Sequence, residues 1–233
     1  MDNIKKIILL FSGNANALNG AANFVRLLND EMFWESRKIQ FTIISNSQTY
    51  VDEKEYRKSF LFQLKAMIKH ILNMTKIGKF FFVKYEFNIL GKNIVNQIIP
   101  DEHTCYILND YMTAHQFFLR FNNKYPTVFL MHNNGDMLSM VDSKILSDNR
   151  MGRFFRDIEK EIIDNANRIV FVSETAMDRF TRKHGECHNK CFTINIGLHD
   201  KAFNSTYEGE EIRLISVGTL EERKNQIAII KAV

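Results

Sequence analysis

His132 is the side chain whose type and position in the sequence best suit it for chemistry. It directly follows the apolar run TVFLM and opens the polar segment HNNGD, which places it just beyond the end of a predicted strand. An imidazole titrates near neutral pH, so it can exchange a proton with a ligand or hydrogen-bond to one there. We expect His132 to be the catalytic side chain. A lone histidine is often only a hydrogen-bonded surface residue, and that alternative stays open.

Two groups of residues could hold a phosphate. Arg223 and Lys224 follow Gly218 in the segment GTLEERKN, between a predicted strand and the start of a predicted helix. Cations beside the free N–H groups of a helix N-terminus form a phosphate site. Asn19 and Gly20 begin the first predicted helix, where the same N–H groups favour an anion, although ordinary capping explains that pair nearly as well. These five residues are the predicted donor and phosphate-binding set.

The segment HGECHNKC contains four side chains that can bind zinc: His184, Cys187, His188 and Cys191. Their close spacing departs from the paired-ligand pattern of zinc sites, and Cys191 opens the apolar run CFTINI, which suits a small buried side chain. The sequence also contains no Asp-x-Asp pair to hold a divalent ion on a nucleotide. We expect neither a bound metal nor a cofactor.

Short apolar runs alternate with helical stretches along the chain. Ile4–Phe11 is too short for an ordinary helix and suits a buried strand, and Asn19–Phe33 has apolar residues near helical spacing. Uninterrupted apolar strands separated by helices are typical of a parallel sheet covered on both faces. The sequence therefore predicts an α/β fold with a doubly wound, Rossmann-like parallel sheet. The remaining predicted elements are strands at 39–45, 104–108, 127–131 and 168–172, a helix at 113–121, and a long helix ending near 167.

Ligands of such sheets bind beyond the carboxyl ends of the strands, so the residues that follow each apolar run are site candidates. Those positions are Gly13–Gly20, Asn109–Asp110, His132–Asn134, Ser173–Glu174 and Gly197. The residues predicted to line the cleft or to bind an acceptor are Asp110, Asn133, Ser173, Glu174 and Gly197.

Residues 54–84 are strongly basic, with eight Lys or Arg against one acid, whereas the formal net charge of the whole chain is only +4. A helical projection of residues 60–76 places apolar residues on one arc and lysines beside it. That pattern fits an anionic membrane surface and, equally, a core-packing helix with solvated lysines. Nucleic acid is disfavoured because no nucleic-acid-binding motif accompanies the charge. The predicted membrane-facing residues are Lys58, Lys65, Lys69 and Lys76.

Targeting signals are not apparent in the sequence. No run approaches the roughly eighteen uncharged apolar residues of a membrane span, and no small-residue cleavage site follows the first apolar run. Three cysteines are too few for a secreted disulfide framework, so we expect free thiols. We expect a cytoplasmic protein that lies peripherally on the inner face of the cell membrane.

Several motifs, in order along essentially the whole chain, resemble those of the retaining glycosyltransferases of GT-B fold, often called family 4 or group 1. Asn19–Ala22 resembles the family's Gly-Gly-Ala turn, and His132 occupies the place of its cleft histidine. Residues 165–174 (NANRIVFVSE) are similar to the lead into its Val-Ser-Glu. Residues 194–203 (INIGLHDKAF) resemble the turn between its domains, and Ser216–Asn225 resembles its Gly-Arg-Leu…Lys loop.

The resemblance implies two facing Rossmann-like domains: an acceptor-side domain at 1–203, a linker at 204–211, and the start of a donor-binding domain at 212–233. It also implies a nucleotide-sugar donor held without an obligatory metal. Thr219 replaces the arginine that many members place on the donor diphosphate, and Asn167 replaces an aspartate. The family's paired glutamates, spaced E-x7-E, are absent from the sequence, so we expect the chain to be inactive or incomplete alone.

The resemblance predicts transfer of a sugar from a nucleotide-sugar donor to a surface polysaccharide or a lipid-linked glycan. A rival from another class is a non-catalytic acceptor- or membrane-binding subunit that a separate donor-domain chain complements. A third possibility is a nucleotide-sugar epimerase of the same architecture, which needs no acceptor. A neighbouring polypeptide that carries E-x7-E would favour a split transferase over a binding module.

Overall fold

The structure, a computed structural model, describes residues 4–17, 20–46, 75–136 and 149–194, together with Met67. The chain divides into two compact units, Met1–Ile196 and Gly197–Val233. Every described residue belongs to the first unit. The predicted linker at 204–211 and the predicted donor-domain strand and helix after it lie outside the described residues, so the domain boundaries stay predictions.

Six strands form one sheet in which each strand runs parallel to its neighbours. Their order across the sheet is β2-β1-β3-β4-β5-β6. The α/β fold with a parallel sheet, predicted from the apolar runs, is confirmed. The strands are β1 (Lys6–Phe11), β2 (Gln40–Ser45), β3 (Thr104–Leu108), β4 (Thr127–Met131), β5 (Arg168–Phe171) and β6 (Cys191–Thr193).

Helices connect these strands, and side chains cap several of them. Asp110 and Ser173 are the N-caps of the helices that follow β3 and β5, and Thr75 caps the long helix that precedes β3. The described helices are α1 (Gly20–Leu27), α2 (Glu31–Ser36), α3 (Lys76–Val95), α4 (Tyr111–Phe121), α5 (Asn149–Asn165) and α6 (Glu174–Lys183), followed by a 3-10 helix at Gly185–Lys190.

The alternation of side chains along β1 divides the core between the two faces of the sheet. Ile8 and Leu10 belong to the larger cluster, which also contains buried residues of α3, α4, α5 and α6. Leu9 and Phe11 point to the opposite face and pack with Val25 of α1. Helices therefore cover the two faces of the sheet, as the doubly wound prediction requires.

One helical prediction needs correction, and one helix was not predicted. The single helix predicted over Asn19–Phe33 is interrupted, because the Asp30 carboxylate accepts a hydrogen bond from the Phe33 backbone N–H at 3.1 Å and starts α2 as a separate helix. The twenty-residue helix α3 has no counterpart among the predicted elements. The amphipathic segment predicted at 60–76 lies outside the described residues, apart from Met67, Thr75 and the backbone of Lys76.

No helix within the described ranges is long and apolar enough to cross a membrane.

Candidate functional site

The strand order predicts a crevice beside the carboxyl end of β1. The chain moves from β1 to β2 on one side, and then returns past β1 to β3 on the other. In open parallel sheets the connections on either side of such a reversal diverge and leave room for a ligand. The residues that follow β1, β3 and β4 at this edge are Ser12, Asn109, Asp110, His132 and Asn133.

Asp110 joins the ends of β1 and β3. Its Oδ2 accepts hydrogen bonds from the Ser12 backbone N–H at 2.6 Å and from the Thr113 hydroxyl at 3.0 Å, and its Oδ1 accepts one from the Thr113 N–H at 2.8 Å. Burial raises the pKa of Asp110, against the opposing effect of these hydrogen bonds. The structure thus places this predicted cleft residue at the expected edge, where it caps α4 and holds the loop after β1.

His132 lies at the same edge and is half-buried. Its Nε2 is 2.8 Å from Oδ1 of Asn109, and its ring meets the ring of Phe24 from α1 at 4.7 Å between centroids in an edge-to-face arrangement. Burial lowers the pKa of His132 from its ordinary value. The imidazole is therefore neutral at pH 7 and can act as a hydrogen-bonding group or a base.

The segment after His132 is fixed by contacts to two helices. Buried Asn133 donates from Nδ2 to the Tyr111 hydroxyl at 2.7 Å, and its Oδ1 accepts from the Gly135 N–H at 3.0 Å. Gly135 has a φ of 74°, and a Cβ atom there would lie 2.0 Å from the carbonyl oxygen of Ala176 in α6. Only glycine combines that backbone conformation with so close an approach.

A group of polar and charged side chains links Asp136 to α5 and α6. Lys183 donates to Glu159 at 2.8 Å and to Asp136 at 3.2 Å, and His184 Nε2 lies 3.1 Å from the same Glu159 oxygen. Glu159 is only 2% exposed, so its carboxylate depends on these partners. The described segment from His132 to Asp136 is thereby held by contacts to α4, α5 and α6.

The other predicted site residues divide into described and undescribed ones. Ser173 accepts the Ala176 N–H at 3.3 Å as the N-cap of α6, and Glu174 is exposed in the first turn of that helix, at the carboxyl end of β5. Gly20 is the first residue of α1. The remaining predicted site residues lie outside the described residues, apart from the backbone of Lys76: Asn19, Gly197, Gly218, Arg223, Lys224, Lys58, Lys65, Lys69 and the side chain of Lys76.

The two cysteines of the histidine- and cysteine-rich segment pack into the core. Cys187 and Cys191 are buried with their sulfur atoms 3.8 Å apart. Burial raises the pKa of Cys191 to about 12, which keeps this thiol protonated and makes it a poor metal ligand. Within the described part of the chain, no group of three or more His, Cys, Asp or Glu side chains is arranged to hold a metal ion.

Sequence reasoning missed the partners that orient His132. The sequence places Asn109 at the edge without indicating a role for it, and it gives no sign that Phe24 and Tyr111 belong to the site. Asn109 hydrogen-bonds a residue 23 positions away, and Tyr111 one 22 positions away. One feature of the sequence could have marked Asn109 and Tyr111 as site residues: they lie on either side of the predicted cleft residue Asp110.

The depressed pKa of His132 gives an expected pH dependence of stability. Between its folded pKa and its unfolded value near 6.5, the unfolded chain binds more protons, so the free energy of unfolding falls as the pH is lowered through this window. We expect His132→Gln to remove this contribution, which has a slope of at most about 1.4 kcal/mol per pH unit. Urea unfolding from pH 7.5 to pH 5 measures it. Exposed His188→Gln is the control, and equal slopes in the wild type and His132→Gln would contradict the prediction.

No protein-family model and no curated protein matches this chain. Among solved structures, it is similar to HepE from Anabaena in complex with UDP and glucose, with 13% identity, a TM-score of 0.38, and coverage of 83% of this chain and 45% of HepE. HepE in complex with UDP-glucose gives 13% identity, a TM-score of 0.37 and coverage of 83% and 44%. The chain thus spans less than half the length of these structures. A likeness at this level assigns neither a ligand nor an activity.

Proposed function

We propose that this chain forms the acceptor side of a nucleotide-sugar-dependent glycosyltransferase, which transfers a sugar to a surface polysaccharide or a lipid-linked glycan. One observation carries the proposal. Four polar residues meet at the carboxyl edge of a parallel sheet, beside the reversal of strand order at β1: Asn109, Asp110, His132 and Asn133. These residues follow two adjacent strands, so they lie together at one edge of the sheet. The ordered motifs of the sequence further support a sugar nucleotide as the ligand.

His132 has the properties required to position a sugar. It is neutral, half-buried and oriented by Asn109 and Phe24, so it can form a directed hydrogen bond to a hydroxyl of the donor sugar or of the acceptor. Arg223 and Lys224, which the sequence motif supplies, would neutralise the charge that develops on the departing diphosphate. We infer no need for a metal in this scheme, because the two cations supply the positive charge.

A peripheral position on an anionic membrane is part of the proposal. It is supported by the basic segment 54–84 and by α3, where the apolar side chains of Ile77, Phe81 and Tyr85 are each more than half exposed and Lys84 lies beside them. Sedimentation with phosphatidylglycerol vesicles, but not with phosphatidylcholine vesicles, is the expected result. Equal recovery with both, or with neither, would contradict this part.

Calorimetric titration with UDP, GDP and their hexose conjugates tests the donor assignment. We expect the chain to bind either the uridine or the guanosine ligands. Lys224→Ala is expected to weaken binding of both the free nucleotide and its sugar conjugate. We expect His132→Ala to weaken only the conjugate, by about tenfold, because the loss of one hydrogen bond is worth about 1 kcal/mol or slightly more.

Exposed His188 provides the matched control, since His188→Ala removes an imidazole far along the chain from the crevice residues. Failure of the wild-type chain to bind any nucleotide would overturn the donor assignment and favour the non-catalytic acceptor- or membrane-binding subunit. If wild type and His132→Ala bind the conjugate equally strongly, His132 does not contact the sugar.

A further inference from the structure

Asn109 is a buried amide whose hydrogen-bonding capacity is only partly used. It is 3% exposed, and its backbone N–H donates to the Leu10 carbonyl at 3.0 Å, which fixes the end of β3 against β1. The side-chain Oδ1 lies 2.8 Å from His132 Nε2, whereas Nδ2 is buried without a hydrogen-bond partner among the described residues. An unpaired buried donor costs about 1–3 kcal/mol, so an amide here lowers stability and indicates a role at the site.

We propose that Asn109 is a positioning residue that holds His132 as the Nε2–H tautomer and leaves the lone pair on Nδ1. A carbonyl oxygen can only accept a hydrogen bond, so the proton of the 2.8 Å contact belongs to Nε2. A neutral imidazole carries one N–H proton, and Nδ1 is then an acceptor. The low pKa that burial gives His132 keeps the ring in this neutral state.

Other charged or titratable groups on the elements around His132 have partners of their own. Asp110 is bonded to Ser12 and Thr113, and Tyr111 to Asn133. In the same loop Asp136 is paired with Lys183, and on α1 Arg26 bonds to the carbonyls of Ala15 and Ala17. Among the described side chains, Asn109 is the hydrogen-bond partner that selects the tautomer, while the ring of Phe24 restricts rotation of the imidazole.

The tautomer determines which ligand group His132 can contact. With the proton of Nε2 committed to Asn109, Nδ1 can accept a hydrogen bond from a hydroxyl but cannot donate one to a phosphate oxygen. His132 would then contact a hydroxyl of the sugar or the acceptor rather than the diphosphate. This consequence rests on the proposed function, whereas the tautomer itself does not.

Nitrogen NMR of the histidine side chains in the 15N-labelled wild-type chain tests the tautomer without any ligand. At pH 7.5 we expect the His132 proton on Nε2, protected from solvent exchange, and Nδ1 with the shift of an unprotonated nitrogen. A proton on Nδ1 would mean that the Asn109 amide is reversed and would overturn the proposal. Asn109→Ala is expected to abolish the protection of the Nε2 proton.

The pKa of His132 in the Asn109→Asp variant distinguishes a positioning role of Asn109 from a purely structural one. A carboxylate in place of the amide favours the doubly protonated ring, so we expect the pKa of His132 to rise by about one unit or more. Asn134 is exposed and lies two positions after His132, so Asn134→Asp is the matched control for added charge. A rise no larger than that of the control would contradict the proposal.

The two proposals fail separately. If the chain binds no nucleotide but His132 carries its proton on Nε2, only the proposed function is overturned. If nucleotide sugars bind and the proton lies on Nδ1, the role of Asn109 is wrong and the proposed function stands.

Discussion

Gly135→Ala is expected to lower the free energy of unfolding by about 3 kcal/mol, the largest effect that we expect among the described glycines. A side chain in the left-handed region costs about 1–2 kcal/mol, and overpacking adds about 1–3 kcal/mol. Both apply, because φ is 74° and the new Cβ would lie 2.0 Å from the Ala176 oxygen and 2.9 Å from its carbonyl carbon. These are backbone atoms of α6, which cannot turn aside as the tip of a side chain can.

Urea unfolding measures the loss, and Gly185→Ala is the control. A Cβ at Gly185 meets no atom within 4 Å, so we expect a change of less than about 0.5 kcal/mol there. Equal stability of the two variants would show that the loop after β4 is not packed against α6. Because the loop begins at His132, we also expect Gly135→Ala to weaken nucleotide-sugar binding under conditions where the variant remains folded.

Gly91→Ala is expected to destabilise the fold by about 2 kcal/mol, although alanine favours a helix. The substitution gains up to about 1 kcal/mol in helix propensity but overpacks the contact between α3 and α4. Its Cβ would lie 2.2 Å from the Met112 carbonyl oxygen and 2.8 Å from Cγ of Gln116, so the two helix backbones must separate. α4 begins at the crevice, and its displacement would also disturb Asp110.

Gly152 in α5 is the matched control for Gly91, since both glycines lie inside helices. The nearest atom to a Cβ at Gly152 is the Nη1 of Arg156 at 3.3 Å, the end of a flexible side chain. We expect Gly152→Ala to be neutral or stabilising by up to about 1 kcal/mol. Chemical denaturation of both variants gives the comparison, and changes of the same sign would argue against the close approach of α3 and α4.

The sheet was predictable from the sequence because its strands are short apolar runs with polar ends. β3 and β4 have the predicted bounds, and β1 lies within the predicted Ile4–Phe11. A strand buried on both faces needs no alternation, so the run itself is the signal.

The helices were harder to predict. α3 carries apolar residues all round: Ile77 and Phe81 are exposed while Phe87 and Ile94 are buried, so no single apolar stripe marks it. The break between α1 and α2 depends on one capping contact of Asp30, which competes locally with continuation of the helix.

The positions of the candidate residues at the strand ends were predictable, but their contacts were not. Strand ends identified His132, Asp110 and Asn133, because parallel strands bring their carboxyl ends to one edge. The bond from His132 to Asn109 and the ring contact with Phe24 depend on how strands and helices pack. Nothing in the spacing of these residues encodes that packing, so the tautomer of His132 could only be inferred from the structure.

The central proposal, that the carboxyl edge of this sheet contacts the sugar of a nucleotide-sugar donor, is tested most directly by following the backbone amide NMR signals during titration with UDP- and GDP-linked hexoses. We predict saturable shifts centred on Ser12, Asn109, His132 and Asn133, with little change at Arg120 on the far end of α4. Shifts absent from these four residues at saturation, or no saturable change with any of these ligands, would contradict the claim.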